Sequence, residues 1–414
     1  MSKRPQVFNA PWLGQPPLSE LLAVLDRDGE EARVVGGAIR NTLIGDPAGD
    51  IDVATTALPN EVIKRVQAAG FKAVPTGIEH GTITVIAQGR PFEITTLRED
   101  VETFGRRARV VFGRDWRRDA ERRDFTMNAL FVSRDGTIYD YVDGLPDIAA
   151  RRVRFIGNPA ARIAEDYLRI LRFFRFHATY GEGAPDPHAV AACVAGRAGL
   201  EQLSRERIRM ELLKLVAGRR APAALAVMTE SGLLDLVLAG VPLLASFTKM
   251  VELEARLTLS ADPVRRLGAL AVCVIEDADR LRERLRTSNA EHERLCSMAE
   301  GWRDISSAWD EQRARVLLYR LGSDRFTDRV LLAWARSSQA PSDPSWTALA
   351  TLPARWIAPR FPLKAADFIR RGLPCGPRLG AALAAAEEAW TAAGFPLEPE
   401  ALAAIADAAS RGVT

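Results

Sequence analysis

The chain is 414 residues long, 47% hydrophobic and 26% charged, with 56 basic against 53 acidic side chains. That length exceeds what one hydrophobic core serves and predicts two to four domains of ordinary globular composition. A net charge of +3 does not announce a nucleic-acid binder, yet arginine far outnumbers lysine and the arginines cluster, so their distribution carries more than their sum.

Residues 1–31 read as an entry segment with a helix over Leu18–Leu25. Arg33–Gly37 predicts a strand ending in a glycine turn, Gly37–Leu43 a short helix, Gly49–Ala54 a strand, and Pro59–Ala69 a helix with proline near its start. Thr82–Ala87 with Phe92–Leu97, and Ala129–Ser133 with Ile138–Val142, predict two hairpins. Five or six strands with helices behind them make an α+β head over 1–145. Asn158-Pro159 is an N-cap followed by proline, and predicts one helix running to about Tyr180. From there nearly every segment has a helical period and no strand signal is convincing, with candidates at 200–216, 222–230, 247–258, 263–274, 277–300, 309–320, 325–337 and 379–393. The expected architecture is an α+β head with an approximately five-stranded sheet, then an all-α neck (146–218), body (219–300) and tail (301–414). The scattered Cys193, Cys273, Cys296 and Cys375 have no metal-ligand or disulfide spacing, and the start Met-Ser-Lys-Arg-Pro has no apolar signal core. The greasiest stretch, 233–247, is interrupted by Asp235, Gly240 and Pro242, so no membrane span is predicted and a cytoplasmic location follows by default.

The sharpest local feature is Val-Val-Gly-Gly-Ala-Ile-Arg (34–40) followed by Gly-Asp-Ile-Asp (49–52). Strand alternation puts Asp50 and Asp52 on one face, with Ile51 and Val53 turned into a core. Two adjacent carboxylates repel unless a cation lies between them, and hard oxygen ligands suit Mg2+. Gly36 and Gly37 let backbone N–H groups approach a phosphate, and Arg40, one helical turn on, can neutralise triphosphate charge. Glu93, in Phe-Glu-Ile-Thr-Thr-Leu-Arg, is either a third carboxylate of a two-metal site or an exposed strand residue. Residues 98–123 hold nine arginines and read as a mobile loop, with Arg106 and Arg107 placed to meet RNA phosphates. In Arg122-Arg123-Asp124-Phe125-Thr126-Met127-Asn128, the arginine pair suits a triphosphate, with Asp124 orienting it; Thr126 and Asn128 suit a sugar or the backbone. Glu165-Asp166-Tyr167-Leu168-Arg169 places Asp166 and Arg169 three apart and Glu165 and Arg169 four apart, spacings that by themselves favour ordinary helix ion pairs.

These motifs, with Asp140-x-x-x-Gly144, Arg207-Ile-Arg-x-Glu211-Leu-x-Lys214 and the stretch Leu373–Gly380, resemble the class II nucleotidyltransferases, the bacterial CCA-adding tRNA nucleotidyltransferases and poly(A) polymerases. The resemblance implies that Asp50 and Asp52 bind Mg2+, that Arg122 and Arg123 contact the triphosphate, and that Asp166 and Arg169 select CTP or ATP, assisted by Arg172 and Arg175. It further implies tRNA as partner, gripped along the concave side. The charged faces of the helical part offer Arg205, Arg207, Arg209 and Lys214 on one side, and Arg370, Arg371 and Arg378 in the tail, as loosely assigned RNA contacts. No protein partner is predicted. Asn41 departs from the family, many of whose members carry Asp there, and stays outside the metal site. The Pro75–Val85 stretch resembles the CCA-adding branch, and the full-length 98–123 segment separates the chain from members that add only CC. A tRNA-binding protein with a degenerate head is the alternative of a different class; the intact Asp50 and Asp52 speak against it.

Overall fold

The computed structural model describes residues 7–104 and 107–412. The strands are β1 (Ala32–Val35), β2 (Asp52–Thr55), β3 (Lys72–Gly77), β4 (Thr82–Ala87), β5 (Arg90–Thr96), β6 (Arg98–Phe104), β7 (Arg107–Phe112), β8 (Leu130–Ser133) and β9 (Ile138–Asp140). Seven form one sheet in the order β3-β4-β5-β2-β1-β8-β9, and β6 pairs with β7 apart from it. Among the described strands only β2 and β5 run parallel.

The sheet is larger than the sequence predicts because β3 is an edge strand that contains Pro75 and has no fully buried residue. Edge strands tolerate proline and need little apolar content, so β3 lacks the usual strand signature. The segment expected to be a loop over 98–123 is instead the β6–β7 hairpin followed by the helix Trp116–Glu121. Val101, Phe104, Val110, Val111 and Phe112 supply β-favouring residues there, masked in the sequence by the surrounding arginines. Asp115 caps that helix, accepting from the N–H groups of Arg117 (2.9 Å) and Arg118 (3.2 Å).

Beyond Asp140 the described residues form helices and no further named strand. The helix expected over 158–180 is two, Pro159–Glu165 and Leu168–Tyr180, because Asp166 adopts an extended conformation. The stretch expected as one helix over 277–300 is likewise two, Ile275–Leu285 and Asn289–Gly301. Arg286 turns left-handed after the first, and Ser288 and Glu291 form a capping box for the second. Glu311–Arg336 is broken at Gly322, whose φ of 75° only glycine adopts easily, which is why 309–320 and 325–337 read as separate helices.

The chain divides into two compact units, Met1–Gly240 and Val241–Thr414. The boundary falls inside the stretch read as body, so the head and neck share one unit. In that unit Val35, Ala54, Leu97, Trp116, Phe131 and Ile156 form a core behind the strand ends that carry the acidic pair. Phe125 packs against the segment before the 159–180 helices and against the helix Leu168–Tyr180, its ring centroid 4.9 Å from Phe155 and 5.0 Å from Phe176. Each such aromatic pair adds about 0.5–1.5 kcal/mol beyond its buried area.

The second unit is helical and contains a buried ionic network. Arg265 bridges Glu254 (3.0 Å) and Asp328 (2.8 Å), Arg266 pairs with Glu254 (2.6 Å), and Arg294 joins Asp262 (2.8 Å) to Asp328. Asp328 is fully buried. Removing it leaves two guanidinium groups without their shared carboxylate, so Asp328→Ala is expected to destabilise this unit by about 3–5 kcal/mol. Calorimetry of the full chain would show the loss as a lower or separate transition.

Candidate active site

The acidic pair sits where β1 ends and β2 begins, beside the middle of β5. Asp52 opens β2, opposite Val35 of β1 and Glu93 of β5. Asp50 lies two residues earlier, outside the strand, and both carboxylates line one cleft of 700 Å3. Ile51 and Val53 turn into the core, as the alternation predicts. Burial first, and then the charge of Glu93, push the Asp52 carboxyl up to about 6, with Asp50 adding to the effect and Arg123 opposing it. A cluster of oxygen donors short of positive charge fits a hard divalent cation. Glu93 is exposed on the adjoining strand and acts on Asp52 as a charge.

The glycine turn follows. Gly36 has φ 77°, and a Cβ there would lie 3.4 Å from the Asn128 carbonyl, so a side chain would be strained and crowded. Its own N–H is committed to the Leu130 carbonyl at 3.1 Å. The N–H groups available to a phosphate are therefore those at the start of the helix Gly37–Ile44, not that of Gly36.

Arginines outnumber carboxylates in the cleft lining, and several are fixed by a buried acid. Asp119, fully buried, receives Arg122 at 2.6 Å and Arg123 at 2.9 Å. Burial opposes the Asp119 charge, but Arg123 and Arg122 outweigh it and hold its carboxyl below the usual carboxylate range. Asp119, not Asp124, orients the arginine pair. Its position three and four residues ahead, near the end of the helix Trp116–Glu121, is the signal that sequence reasoning passed over. Asp124 instead receives Arg172 Nε at 2.8 Å, its own segment's Phe125 N–H at 2.8 Å and Asn128 Nδ2 at 3.2 Å. Arg40 is buried; it donates to Asn128, to Asn41 Oδ1 (2.8 Å) and to the Tyr180 hydroxyl (2.7 Å), and its guanidinium lies 3.8 Å from the Tyr180 ring centroid. Arg175 Nε meets Glu211 at 2.6 Å.

Asn41 has a structural role that the sequence left open. Its oxygen accepts from Arg40, and its Nδ2 donates to the carbonyls of Pro47 (3.2 Å) and Ala48 (3.3 Å). The amide therefore ties Arg40 to the turn that delivers Asp50. A carboxylate could not make the two donor contacts.

Asp166 and Arg169 do not share one continuous helix; Asp166 is the hinge between two. Its Oδ1 accepts the Leu168 N–H at 3.1 Å and its Oδ2 accepts Arg207 Nη2 at 2.6 Å. Arg169 pairs with Glu165 as the spacing predicts, and also donates to the Arg162 carbonyl at 2.8 Å. Both Asp166 and Arg169 line the cleft with Asp50, Asp52, Arg40, Arg122, Arg123, Arg172 and Arg175. Arg207, grouped by sequence with the RNA-facing surface, points into this cleft. Arg205 and Lys214, on the same helix Arg205–Val216, are exposed, and Arg370, Arg371 and Arg378 are exposed in the second unit. Arg106 lies outside the described residues, and Arg107 is described only as a residue of β7. Thr126 is buried, its hydroxyl donating to Asp147 at 2.6 Å, so it supports the fold and does not meet a sugar. Asp140 caps the helix Gly144–Ala149 through the N–H groups of Gly144 and Leu145, both at 2.9 Å. A Cβ on Gly144 would stand 2.4 Å from the Thr126 carbonyl, which explains the glycine of that motif. A cavity of 730 Å3 in the second unit is lined by Tyr319, Arg360, Glu387 and Glu388 and has no glycine turn in its lining.

A strand-end carboxylate pair, a glycine-led helix start and tethered arginines in one cleft define a metal-dependent nucleotidyltransferase. Comparison with known proteins agrees. Residues 32–154 match the poly(A) polymerase head domain family, and 184–247 match a family described as the probable RNA- and SrmB-binding site of polymerase A. The chain is 33% identical over 386 residues to the mitochondrial CCA tRNA nucleotidyltransferase 1 of Danio rerio, covering 92% of this chain and 88% of that protein. It is 32% identical over 370 residues to the CCA-adding enzyme of Limosilactobacillus fermentum, covering 89% and 90%. Its fold matches the crystal structure of the Bacillus stearothermophilus CCA-adding enzyme in complex with CTP, with a TM-score of 0.75, 29% identity and coverage of 96% and 98%. The chain belongs to the class II family of CCA-adding tRNA nucleotidyltransferases and poly(A) polymerases, and it is a nucleotidyltransferase.

Two predictions follow from the cleft. Because the folded state raises the Asp52 carboxyl from 3.8 to about 6, it binds a proton more readily than the unfolded chain does in that interval. This group's contribution to stability therefore improves as pH falls from 6 to 3.8, opposite to a salt-bridged aspartate. Asp52→Asn is expected to raise the stability of the metal-free protein at neutral pH by about 1–2 kcal/mol, to flatten that interval, and to abolish transfer. Thermal melts across pH and a transfer assay on one preparation would check all three. Asp119→Ala is expected to weaken nucleotide binding on the order of tenfold by releasing Arg122 and Arg123, with the acidic pair intact; nucleotide titration by calorimetry measures it.

Proposed function

We propose that the protein adds C, C and A to the 3′ end of tRNA from CTP and ATP, without a nucleic-acid template and with Mg2+ as the metal. In this reading the RNA 3′-hydroxyl attacks the nucleotide α-phosphate and pyrophosphate leaves. The observation that carries it is the presence of Asp166 and Arg169 in the same cleft as the acidic pair and the triphosphate-suited arginines. A carboxylate accepts from an exocyclic amine and a guanidinium donates to a ring nitrogen. Cytosine and adenine both present that amine and that acceptor on their pairing edges, whereas uracil and guanine present a carbonyl and an N–H. One Asp–Arg pair can thus accept C and A and reject U and G.

Asp50 and Asp52 are the residues assigned to hold the metal, with Glu93 beside them. Bound divalent cations would favour ionisation of the attacking hydroxyl and neutralise charge on the leaving group. Arg122 and Arg123, held by Asp119, are assigned to the triphosphate, as is Arg40. Arg172 and Arg175 are held by Asp124 and Glu211 and support the base-selecting pair. The Arg207–Asp166 ion pair orients the selecting carboxylate before a base arrives. The exposed Arg205 and Lys214 are assigned to tRNA, as are the tail arginines. In this reading residues 1–145 are the head, 146–218 the neck, 219–300 the body and 301–414 the tail. All four cysteines are unpaired, which fits a reducing compartment such as the cytoplasm, and no described helix is long and apolar enough to cross a membrane.

The deciding assay gives tRNA lacking its 3′ end CTP, ATP, or both, with Mg2+. Ordered addition that stops after C, C and A is expected. A long tail from ATP alone makes the protein a poly(A) polymerase; two C residues and no A make it a CC-adding enzyme; no incorporation leaves a tRNA-binding protein. In the same assay Asp166→Ala is expected to lower discrimination against UTP by about 10–100-fold, the worth of one good base-edge contact.

A further inference from the structure

A group of side chains with metal-ligating chemistry lies far in sequence from the head, and the proposed reaction does not use it. Asp279 lies on the helix Ile275–Leu285, and His292 and Cys296 on the helix Asn289–Gly301. His292 and Cys296 are four apart, so they share one face of a rigid helix. Asp279 reaches that face from the packed neighbour, and one ligand atom from each residue lies within 4.8 Å of the others. His292 Nε2 is 2.8 Å from Asp279 Oδ1 and 3.5 Å from Cys296 Sγ. Around a tetrahedral zinc, a nitrogen and a sulfur ligand stand about 3.6 Å apart, and a nitrogen and an oxygen about 3.4 Å. The nitrogen–sulfur edge already has that length; the nitrogen–oxygen edge is shorter because a proton is shared across it.

We propose that Asp279, His292 and Cys296 form a site for a thiophilic divalent cation of the Zn2+ class, bracing two helices of the second unit. Thiolate and imidazole select such an ion over Mg2+, so this site and the acidic pair of the head differ in metal preference. His292 is half-buried and Cys296 partly covered, while Asp279 is exposed, which leaves an entry path and a fourth position for water. The Ser288–Glu291 capping box and the left-handed turn at Arg286 fix how the second helix leaves the first, so the ligands do not depend on a loose loop. Binding releases the Cys296 thiol proton to solvent and moves the imidazole proton from Nε2 to Nδ1.

One neighbour opposes this. Arg282 donates to His292 Nδ1 at 3.2 Å and to Asn289 Oδ1 at 3.0 Å. Since Nδ1 must carry a proton in the metal-bound form, Arg282 has to withdraw, and its exposed side chain can do so. Arg282 therefore acts as a competitor of the metal, and removing it strengthens binding. A site that was merely a helix contact gives no such gain.

The test titrates the full-length protein with Co2+ alone, reads absorbance, and then displaces the Co2+ with Zn2+. One equivalent is expected to give tetrahedral visible bands and a thiolate-to-cobalt charge-transfer band. Cys296→Ser is expected to abolish the charge-transfer band, and His292→Ala to weaken binding on the order of 100-fold. Asp52→Asn, which alters only the head, leaves the signal unchanged, and Arg282→Ala tightens binding. Far-ultraviolet circular dichroism on each variant verifies that the helices persist. Absence of a charge-transfer band at one equivalent, its survival in Cys296→Ser, or its loss in Asp52→Asn overturns the proposal.

Discussion

Asp124 is the constraint on which the rest of the cleft depends. Its carboxylate is buried, and a buried charge must be satisfied on every side. Arg172 reaches it from the neck helix, Asn128 from the following turn, and Phe125 N–H from its own backbone. Burial opposes its ionisation, yet Arg172 and these hydrogen bonds prevail and hold its carboxyl below the ordinary range. The Asn128 amide that donates to Asp124 also accepts from Arg40, so one carboxylate aligns the glycine-led helix, the arginine segment and the neck. The aromatic cluster around Phe125 seals the same junction with apolar area.

A cleft meant for a triphosphate and a metal has to keep opposite charges apart without collapsing. Free arginines would fold onto Asp50 and Asp52 and neutralise them. Here Arg122 and Arg123 are committed to Asp119, Arg172 to Asp124, and Arg175 to Glu211. Each retains further N–H donors for a ligand, because a guanidinium has five. Burial first, and then the charge of Glu93, raise the Asp52 carboxyl, and Arg123 offsets this only in part. That unfavourable state in the metal-free protein is the counterpart of affinity for a cation.

The legibility of the site varied with how local its geometry is. The glycine turn, the acidic pair and the arginine pair lie on short segments with standard geometry, so their types and order were readable. The hinge at Asp166 was not, because Asn158-Pro159 starts a helix and the apolar spacing of Ile170, Leu171 and Phe174 continues it; tertiary capture of Asp166 by Arg207 lies 41 positions away. The β6–β7 hairpin was hidden by its arginines, and β3 by its proline and its exposure. Arg207 carries the same local pattern as the exposed Arg205, and only packing of the helix Arg205–Val216 on the helix Leu168–Tyr180 turns it toward the cleft.

The α+β head, the helical remainder and the family were legible along the chain, since these rest on hydrophobic period and on motifs whose residues are close together. Packing between distant segments sets which acid holds which arginine, where the 158–180 segment breaks, and that Asp279, His292 and Cys296 meet on neighbouring helices. Those outcomes depend on burial and on distances between segments far apart in sequence. A buried charge takes whichever partner packing brings within hydrogen-bond reach, and spacing along one chain does not encode that choice.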